Sequence, residues 1–216
     1  MTRALPLLLA LTAITAGGRQ ALAADTGREV SPPYGYVAYC LRVKADCMGG
    51  TDAPQTVAMT AARWSELNAV NDFVNALPQV EDIDRYGVTE YWAVADDKGG
   101  DCEDLALRKR AELIERGWPA SALLMTVVRE WSGDGHAVLT VVTDQGDLIL
   151  DNKARTILHR EEAPYVFLKR QSAYRPWVWL DMERPSSIAI NYPPVDTTPP
   201  FITVVEKALN NVGGIR

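Results

Sequence analysis

The sequence is short of positive charge and of histidine. It carries 22 Lys and Arg against 28 Asp and Glu, has two histidines, and has a formal net charge of -6. Nucleic-acid binding needs a cluster of cations that faces the phosphates, whereas the basic residues here are scattered along the chain. The composition therefore argues against a nucleic-acid partner.

Long apolar runs are also missing, apart from one at the amino terminus. There, Arg3 precedes an apolar run over residues 4–16, and the small residues Ala21-Leu22-Ala23 follow. This order is typical of a secretory signal peptide, and the run is too short to cross a bilayer comfortably. We predict a signal peptide over residues 1–23, cleaved near Ala23, with no stable membrane insertion afterwards. The alternative is a segment that stays in place as a membrane anchor.

Cysteine is scarce, with three in 216 residues. Cys40 and Cys47 are near neighbours, whereas Cys102 stands alone. Two close cysteines in an exported chain favour a disulfide; a zinc site is the alternative, which this spacing and the shortage of histidine disfavour. An unpaired thiol in an oxidising compartment is a liability unless it has a function. Cys102 is therefore the candidate nucleophile.

Apolar spacing predicts helices in the first half of the chain and strands in the second. One helix begins after Thr60 and ends before Pro78, and another covers residues 102–116 and ends at Gly117 and Pro119. Helices before strands predict an α+β domain, with helices packed on an antiparallel sheet. The predicted strands are five β-branched or aromatic runs, with a hairpin connection at 144–147 between the second and third: ALLMTVVREW, HAVLTVVTD, DLILDN, YVFLKRQ and WVWLDM.

Three other segments show no clear period. Residues 24–54 are rich in turn formers and are predicted to be an irregular entry segment, and residues 81–100 are predicted to be a long loop. Residues 183–200 contain five prolines. We predict one domain over residues 24–182, followed by a Pro-rich tail over 183–216 that packs on it or extends from it.

Cys102 falls at the predicted start of the second helix, with Asp101 as its cap. Unpaired backbone N–H groups and the positive end of the helix dipole face a sulfur in that position, which predicts a lowered thiol pKa. Gly99 and Gly100 precede it, and glycines there would let a substrate backbone approach. The amide of Cys102 could then donate a hydrogen bond to the oxyanion that forms during attack.

A nucleophilic thiol also needs a proton acceptor. His136 opens the second predicted strand and Asp151 closes the third, so the hairpin between them would bring both to one end of the sheet. A carboxylate there could orient the imidazole. The sequence therefore predicts a catalytic triad of Cys102, His136 and Asp151, and leaves His159 as a solvated loop residue.

Several runs around these positions resemble a known family. They are similar to the bacterial transglutaminase-like cysteine proteinases, which include the LapG-type periplasmic proteases, over most of residues 34–182. The resemblance implies a papain/transglutaminase-like core in the periplasm, with Cys102 as nucleophile, His136 as base and Asp151 as orienting acid. The runs are YGYVAYCLRVKADC, YGVTEYWAVADDKGGDCED, GDCEDLALRKRAELIERG, HAVLTV, LILDN, and FLKRQS followed by WVWL.

The resemblance also implies calcium and particular partners. LapG-type members depend on calcium, and the family's ligands map to Asp101 and Glu103. The five carboxylates between residues 96 and 104 suit the oxygen ligands that calcium prefers, although acids at a helix start also cap it and favour its dipole. The implied substrate is a large cell-surface adhesin, cut near its amino-terminal anchor between small residues such as an Ala-Ala pair. An inner-membrane cyclic-di-GMP receptor would sequester the protease and so control adhesion and biofilm formation.

Two other functions stay open at this point. The same triad and thioester would serve a transglutaminase or amidase, because only the nucleophile that resolves the thioester differs. A noncatalytic calcium-binding adaptor could keep the fold, but it would have no use for the complete set of three residues. The predicted function is an exported, calcium-dependent cysteine endopeptidase.

Overall fold

The computed structural model describes residues 27–48 and 53–183. The predicted signal peptide and the tail from residue 184 onward lie outside these ranges. Within them, no helix combines the length and the apolar character that crossing a bilayer requires. The helices are α1 (Tyr34–Arg42), α2 (Lys44–Cys47), α3 (Ala61–Asn75), α4 (Asp82–Tyr86) and α5 (Cys102–Glu115), with a 3-10 turn at Ala120–Ala122.

In the described ranges, seven strands form one sheet in the order β1-β7-β6-β2-β3-β4-β5, and every neighbouring pair is antiparallel. The predicted α+β class is confirmed. The five predicted strand runs correspond to β2, β3, β4, β6 and β7. The predicted hairpin joins β3 to β4, where Thr143 pairs with Gly146. The strands are β1 (Glu29–Val30), β2 (Leu123–Arg129), β3 (Gly135–Thr143), β4 (Gly146–Leu150), β5 (Leu158–His159), β6 (Val166–Gln171) and β7 (Trp179–Asp181).

The two long helices begin and end close to the predicted residues. Thr60 caps α3 by accepting a hydrogen bond from the Arg63 amide at 3.2 Å. After α5, Gly117 has a φ of 79°, a left-handed conformation that suits glycine at a helix end. Leu105 and Leu113 of α5 are fully buried, and α5 packs against both α3 and β3. The start of α5, where Cys102 lies, is therefore held against a central strand.

The prediction of an irregular entry segment is wrong for residues 34–47, which form α1 and α2. Tyr36 is buried, and its ring makes edge-on contacts with Trp92 and Trp179, at centroid distances of 5.7 and 5.2 Å. A Cβ at Gly35 would lie 2.3 Å from Trp92 Cδ1. The glycine that suggested irregular structure is thus required by the packing of a helix. The predicted loop at 81–100 likewise contains the short helix α4.

The predicted disulfide is present and links α1 to the end of α2, with a Cα–Cα distance of 5.6 Å between Cys40 and Cys47. Because it closes a short loop, we expect the double variant Cys40→Ala/Cys47→Ala to lose about 2–3 kcal/mol of unfolding free energy. The melting temperature should fall by about 5–10 °C. Thermal unfolding with and without reductant checks this, since reductant should shift the wild type and leave the double variant unchanged. A wild-type melting temperature that does not change on addition of reductant would contradict the prediction.

Candidate active site

Cys102 is the first residue of α5, and its side chain is partly exposed. The thiol donates a hydrogen bond to Glu103 Oε2 at 3.1 Å, and the sulfur accepts one from the Ala137 amide at 3.4 Å. Ala137 lies near the start of β3 and directly follows His136. The helix start and the strand start therefore meet at the thiol and at the residue that follows the predicted base.

Gly99 and Gly100 are required by close packing within the protein. A Cβ at Gly99, where φ is +83°, would lie 1.7 Å from the Pro78 carbonyl oxygen. A Cβ at Gly100 would lie 2.5 Å from Asp104 Cβ. The Gly100 amide donates a hydrogen bond to the Pro78 carbonyl at 3.2 Å. The two glycines let the backbone of residues 78–80 run beside the segment that carries the thiol.

His136 and Asp151 are paired in the core of the site, and both are 3% exposed. The pairing of β3 with β4 ends at Leu139 and Leu150, so Asp151 follows directly and reaches His136, with Nε2 2.8 Å from Oδ1. Among the described residues Nδ1 has no hydrogen-bond partner, and Glu130 Oε1 is 3.9 Å away. We assign the imidazole proton to Nε2 because a carboxylate accepts there, which leaves the Nδ1 lone pair free.

The Asp151 carboxylate accepts three hydrogen bonds. His136 and the Lys153 amide, at 2.9 Å, bind Oδ1, and the Tyr165 hydroxyl donates to Oδ2. Burial by itself raises the pKa of Asp151, but the bonds from His136, Tyr165 and Lys153 outweigh it and hold that pKa below its ordinary value. Asp151 is therefore an ionised group suited to orient an imidazole.

An acidic cluster lies on the other side of the thiol. Asp82, Asp101 and Glu103 place one carboxylate oxygen each within 4.8 Å of one another. Oδ1 of Asp82 and Oδ1 of Asp101 are buried without a hydrogen-bond partner among the described residues. Burial and crowding of negative charge raise the pKa of Asp101 to about 8, and burial raises that of Glu103 to about 7. Hard oxygens that lack both donors and counter-charge fit a cation such as calcium.

The alternative role of these acids as helix caps receives no support at Asp101. This residue stands at the cap position of α5, but its side chain makes no capping hydrogen bond. Asp96, a further acid of the predicted set, instead forms an ion pair with Arg85 at 2.8 Å. Of the acids near Cys102, Asp101 and Glu103 thus belong to the cluster, whereas Asp96 belongs to a surface ion pair.

The expected lowering of the Cys102 pKa is wrong in this structure. Burial, followed by the neighbouring Glu103 carboxylate, raises the pKa of the thiol, and the Ala137 amide opposes them only in part. A helix start favours a thiolate, but here its effect is exceeded by desolvation and by an adjacent negative charge. Glu103 therefore links the acidic cluster to the thiol.

An apolar cavity of ≈ 590 Å³ is lined by residues 129–131, 133 and 163–166, of which Tyr165 contacts the imidazole. Tyr165 and Trp131 are among the residues that line it, and the Tyr165 ring lies 5.6 Å from the His136 ring. Trp131, in the turn between β2 and β3, is 99% exposed. An apolar concave surface beside a base offers a place for a substrate side chain.

Sequence reasoning missed Asp82, Tyr165 and Glu130. None of them lies in a motif, and each reaches the site through contacts between distant segments. His159, predicted to be a solvated loop residue, instead lies in β5 and is partly exposed. His159 is in a strand because β5 pairs with β4. A strand of two residues is too short to show an alternating pattern in the sequence.

Comparison with solved structures finds LapG from Legionella pneumophila. A calcium-bound LapG structure is 26% identical, with a TM-score of 0.48 over 59% of this chain and 75% of that one. Another LapG structure from that organism is 26% identical, with a TM-score of 0.46 over 54% and 68%. An EGTA-treated one is 23% identical, with a TM-score of 0.46 over 58% and 69%. A search of curated proteins finds no match.

The comparison with family models covers most of the chain. Residues 26–187 match the model described as bacterial transglutaminase-like cysteine proteinase. That range includes the thiol, the imidazole and the acidic cluster, and the resemblance predicted from the sequence is confirmed. The chain therefore belongs to the bacterial transglutaminase-like cysteine proteinases and is a cysteine protease.

Proposed function

We propose that the protein is an exported, calcium-dependent cysteine endopeptidase whose catalytic triad is Cys102, His136 and Asp151. One observation carries the proposal. Nε2 of the buried His136 is hydrogen-bonded to Asp151, Nδ1 has no hydrogen-bond partner among the described residues, and the amide of the next residue donates to the Cys102 sulfur. A cysteine nucleophile needs a base that is oriented at one nitrogen and free at the other.

The reaction follows from these positions. Nδ1 of His136 takes the thiol proton as the Cys102 sulfur attacks the carbonyl carbon of the scissile peptide bond. The Cys102 amide, one of the unpaired donors of the helix start, stabilises the oxyanion. The imidazolium gives its proton to the leaving amine, which leaves a thioester. Water then loses a proton to Nδ1 and attacks the thioester, releasing the new carboxyl group and restoring the thiol.

Asp82, Asp101 and Glu103 would hold the calcium ion in this proposal. The closeness of the three carboxylates and the buried oxygens of Asp82 and Asp101 that lack a partner among the described residues carry the assignment, and Asp82 adds a third residue to the two expected from the resemblance. Bound there, calcium would supply positive charge that offsets the Glu103 carboxylate beside the thiol. Glu103 then competes less for the thiol proton, and His136 can accept it.

The finer parts of the proposal rest on the resemblance. We place the protein in the periplasm after removal of residues 1–23, with the protease domain over 24–182 and the Pro-rich segment over 183–216 as its tail. The proposed substrate is a large surface adhesin, or another periplasmic protein, cut between small residues. An inner-membrane cyclic-di-GMP receptor is the proposed regulator, and the role would be control of adhesion and biofilm formation.

Trp131 gives a prediction about substrate binding. Its ring is wholly exposed at the rim of the cavity beside His136, so Trp131→Ala should raise KM about fivefold and change kcat little, because it removes ground-state contact. Steady-state kinetics on a protein substrate checks this. Tyr34→Ala is the matched control, since Tyr34 is an aromatic residue that is 81% exposed on α1. An unchanged KM for Trp131→Ala would contradict substrate binding in the cavity.

The test of the proposed function separates hydrolysis from acyl transfer. The mature protein is incubated with calcium, an unfolded protein rich in small-residue pairs, a glutamine peptide and a primary amine, and the products are read by mass spectrometry. We expect new protein termini that disappear in Cys102→Ala and no amine adduct. Amine incorporation at glutamine in place of cleavage would contradict the proposal in favour of a transglutaminase. The absence of both reactions would contradict it in favour of an adaptor.

A further inference from the structure

Tyr165 contacts two members of the proposed triad, although the sequence showed it only as the first residue of a predicted strand run. Its hydroxyl donates to Asp151 Oδ2, and its ring lies 5.6 Å from the His136 ring at an angle of 60°. It precedes β6, so it comes from a part of the chain remote from Cys102. One side chain thus meets both the carboxylate and the imidazole.

The two oxygens of Asp151 are held by different groups. Oδ1 accepts hydrogen bonds from His136 Nε2 and the Lys153 amide, whereas Oδ2 accepts one from the Tyr165 hydroxyl. With only Oδ1 bound, the carboxylate could rotate about its Cβ–Cγ bond and offer either oxygen to the imidazole. A donor on Oδ2 removes that freedom, and a buried acceptor that loses its donor is destabilised.

We propose that Tyr165 is a positioning residue that fixes the Asp151 carboxylate and, through it, the tautomer and orientation of the His136 ring. The inference rests on the proposed triad. Tyr165 acts on the reacting atoms only through Asp151 and His136. Its ring also lines the cavity beside the imidazole, so hydroxyl and ring have separable roles.

The charged groups around Asp151 do not take the place of the Tyr165 hydroxyl as the donor to Oδ2. Lys153 follows Asp151 and forms an ion pair with Glu130 from the end of β2. Lys109 of α5 is 1% exposed, and burial lowers its pKa to about 7, although the nearby Asp151 carboxylate favours its charged form. In the hydrogen-bond network of the described residues, the donor to Oδ2 is the Tyr165 hydroxyl.

Kinetics of two substitutions separate the hydroxyl from the ring. Tyr165→Phe should lower kcat about tenfold, because a hydrogen bond to a charged group is lost, and should leave KM within about twofold. Tyr165→Leu should lower kcat similarly and also raise KM. Tyr39→Phe is the matched control, since it too removes a hydroxyl that donates to an aspartate, Asp46, at a place remote from the proposed triad.

Nitrogen NMR of the histidines gives a readout that a merely structural role would not change. The sequence has two histidines, so selective ¹⁵N labelling gives one signal pair for His136 and one for His159. In a Cys102→Ala background, the His136 pair should show a proton fixed on Nε2. Adding Tyr165→Phe should move both His136 shifts toward the values of an imidazole that exchanges between tautomers, and leave His159 unchanged.

The outcomes distinguish this inference from the proposed function. Wild-type kcat in Tyr165→Phe, or a loss of kcat and melting temperature with unchanged His136 shifts, would overturn the inference and leave the triad in place. Cleavage that survives in both Cys102→Ala and His136→Ala would overturn the proposed triad itself. A tenfold loss of kcat with altered His136 shifts and an unaltered melting temperature would support the positioning role.

Discussion

Replacing Cys102 or His136 by alanine is expected to lower kcat by roughly 10⁶-fold, as removal of a nucleophile or its base does in other triads. Without the sulfur no thioester can form. Without the imidazole, the described group that contacts the thiol proton is the Glu103 carboxylate, and that contact and burial both favour the neutral thiol. Cleavage of a protein substrate, followed by quantitative mass spectrometry, measures the loss.

The chain offers a matched control for the base. His159→Ala removes the other histidine, which lies in β5 and takes no part in the Asp151 network, and it should retain full activity. Asp151→Asn should lower kcat by roughly 10⁴-fold, a smaller loss than that of His136→Ala, because the asparagine favours the wrong imidazole tautomer. Activity retained in Cys102→Ala would refute the assignment of the nucleophile.

The second large effect is expected at the acidic cluster. Asp82→Asn should abolish tight calcium binding and most activity, because it neutralises one of three facing carboxylates and does not touch Cys102, His136 or Asp151. With calcium at a hundred times its dissociation constant, the wild type should gain about 2.7 kcal/mol of stability. Its melting temperature should then rise by about 5–10 °C, and the rise should vanish in Asp82→Asn.

Titration calorimetry with calcium, alongside thermal unfolding, provides the measurement. Asp97→Asn serves as the control, because Asp97 lies in the same acidic segment but is exposed and outside the cluster. Asp101→Asn should behave like Asp82→Asn. Equal calcium affinity in the wild type and in Asp82→Asn would show that the ion, if bound, is held elsewhere.

The long elements were predictable because their evidence is local. α3 and α5 repeat apolar residues at helical spacing and end at glycine or proline, and the five longer strand runs are β-branched or aromatic. α1 was missed because residues 24–54 as a whole are rich in turn formers, whereas Gly35, one of them, leaves room for the Trp92 ring. β1 and β5, each two residues long, carry no period that could be recognised.

The predicted triad residues were accessible from the sequence because residue type and hairpin register suffice to bring them together. Asp82 and Tyr165 were not, since their roles depend on how α4 and the approach to β6 pack against the centre. The direction of the Cys102 pKa was predicted wrongly for a related reason. A helix start can be recognised in a sequence, but the desolvation of a sulfur and its distance from Glu103 cannot.

The scattering of the site along the chain has a consequence for biosynthesis. Asp82, Cys102, His136, Asp151 and Tyr165 converge only when α4, α5, the β3–β4 hairpin and the approach to β6 have all docked. Contacts between distant segments form late in folding. A polypeptide still emerging from the ribosome thus carries Cys102 without the side chains that surround it in the folded protein. Its proteolytic activity arises only when folding is complete, so the unfolded chain does not cleave proteins of the cell that makes it.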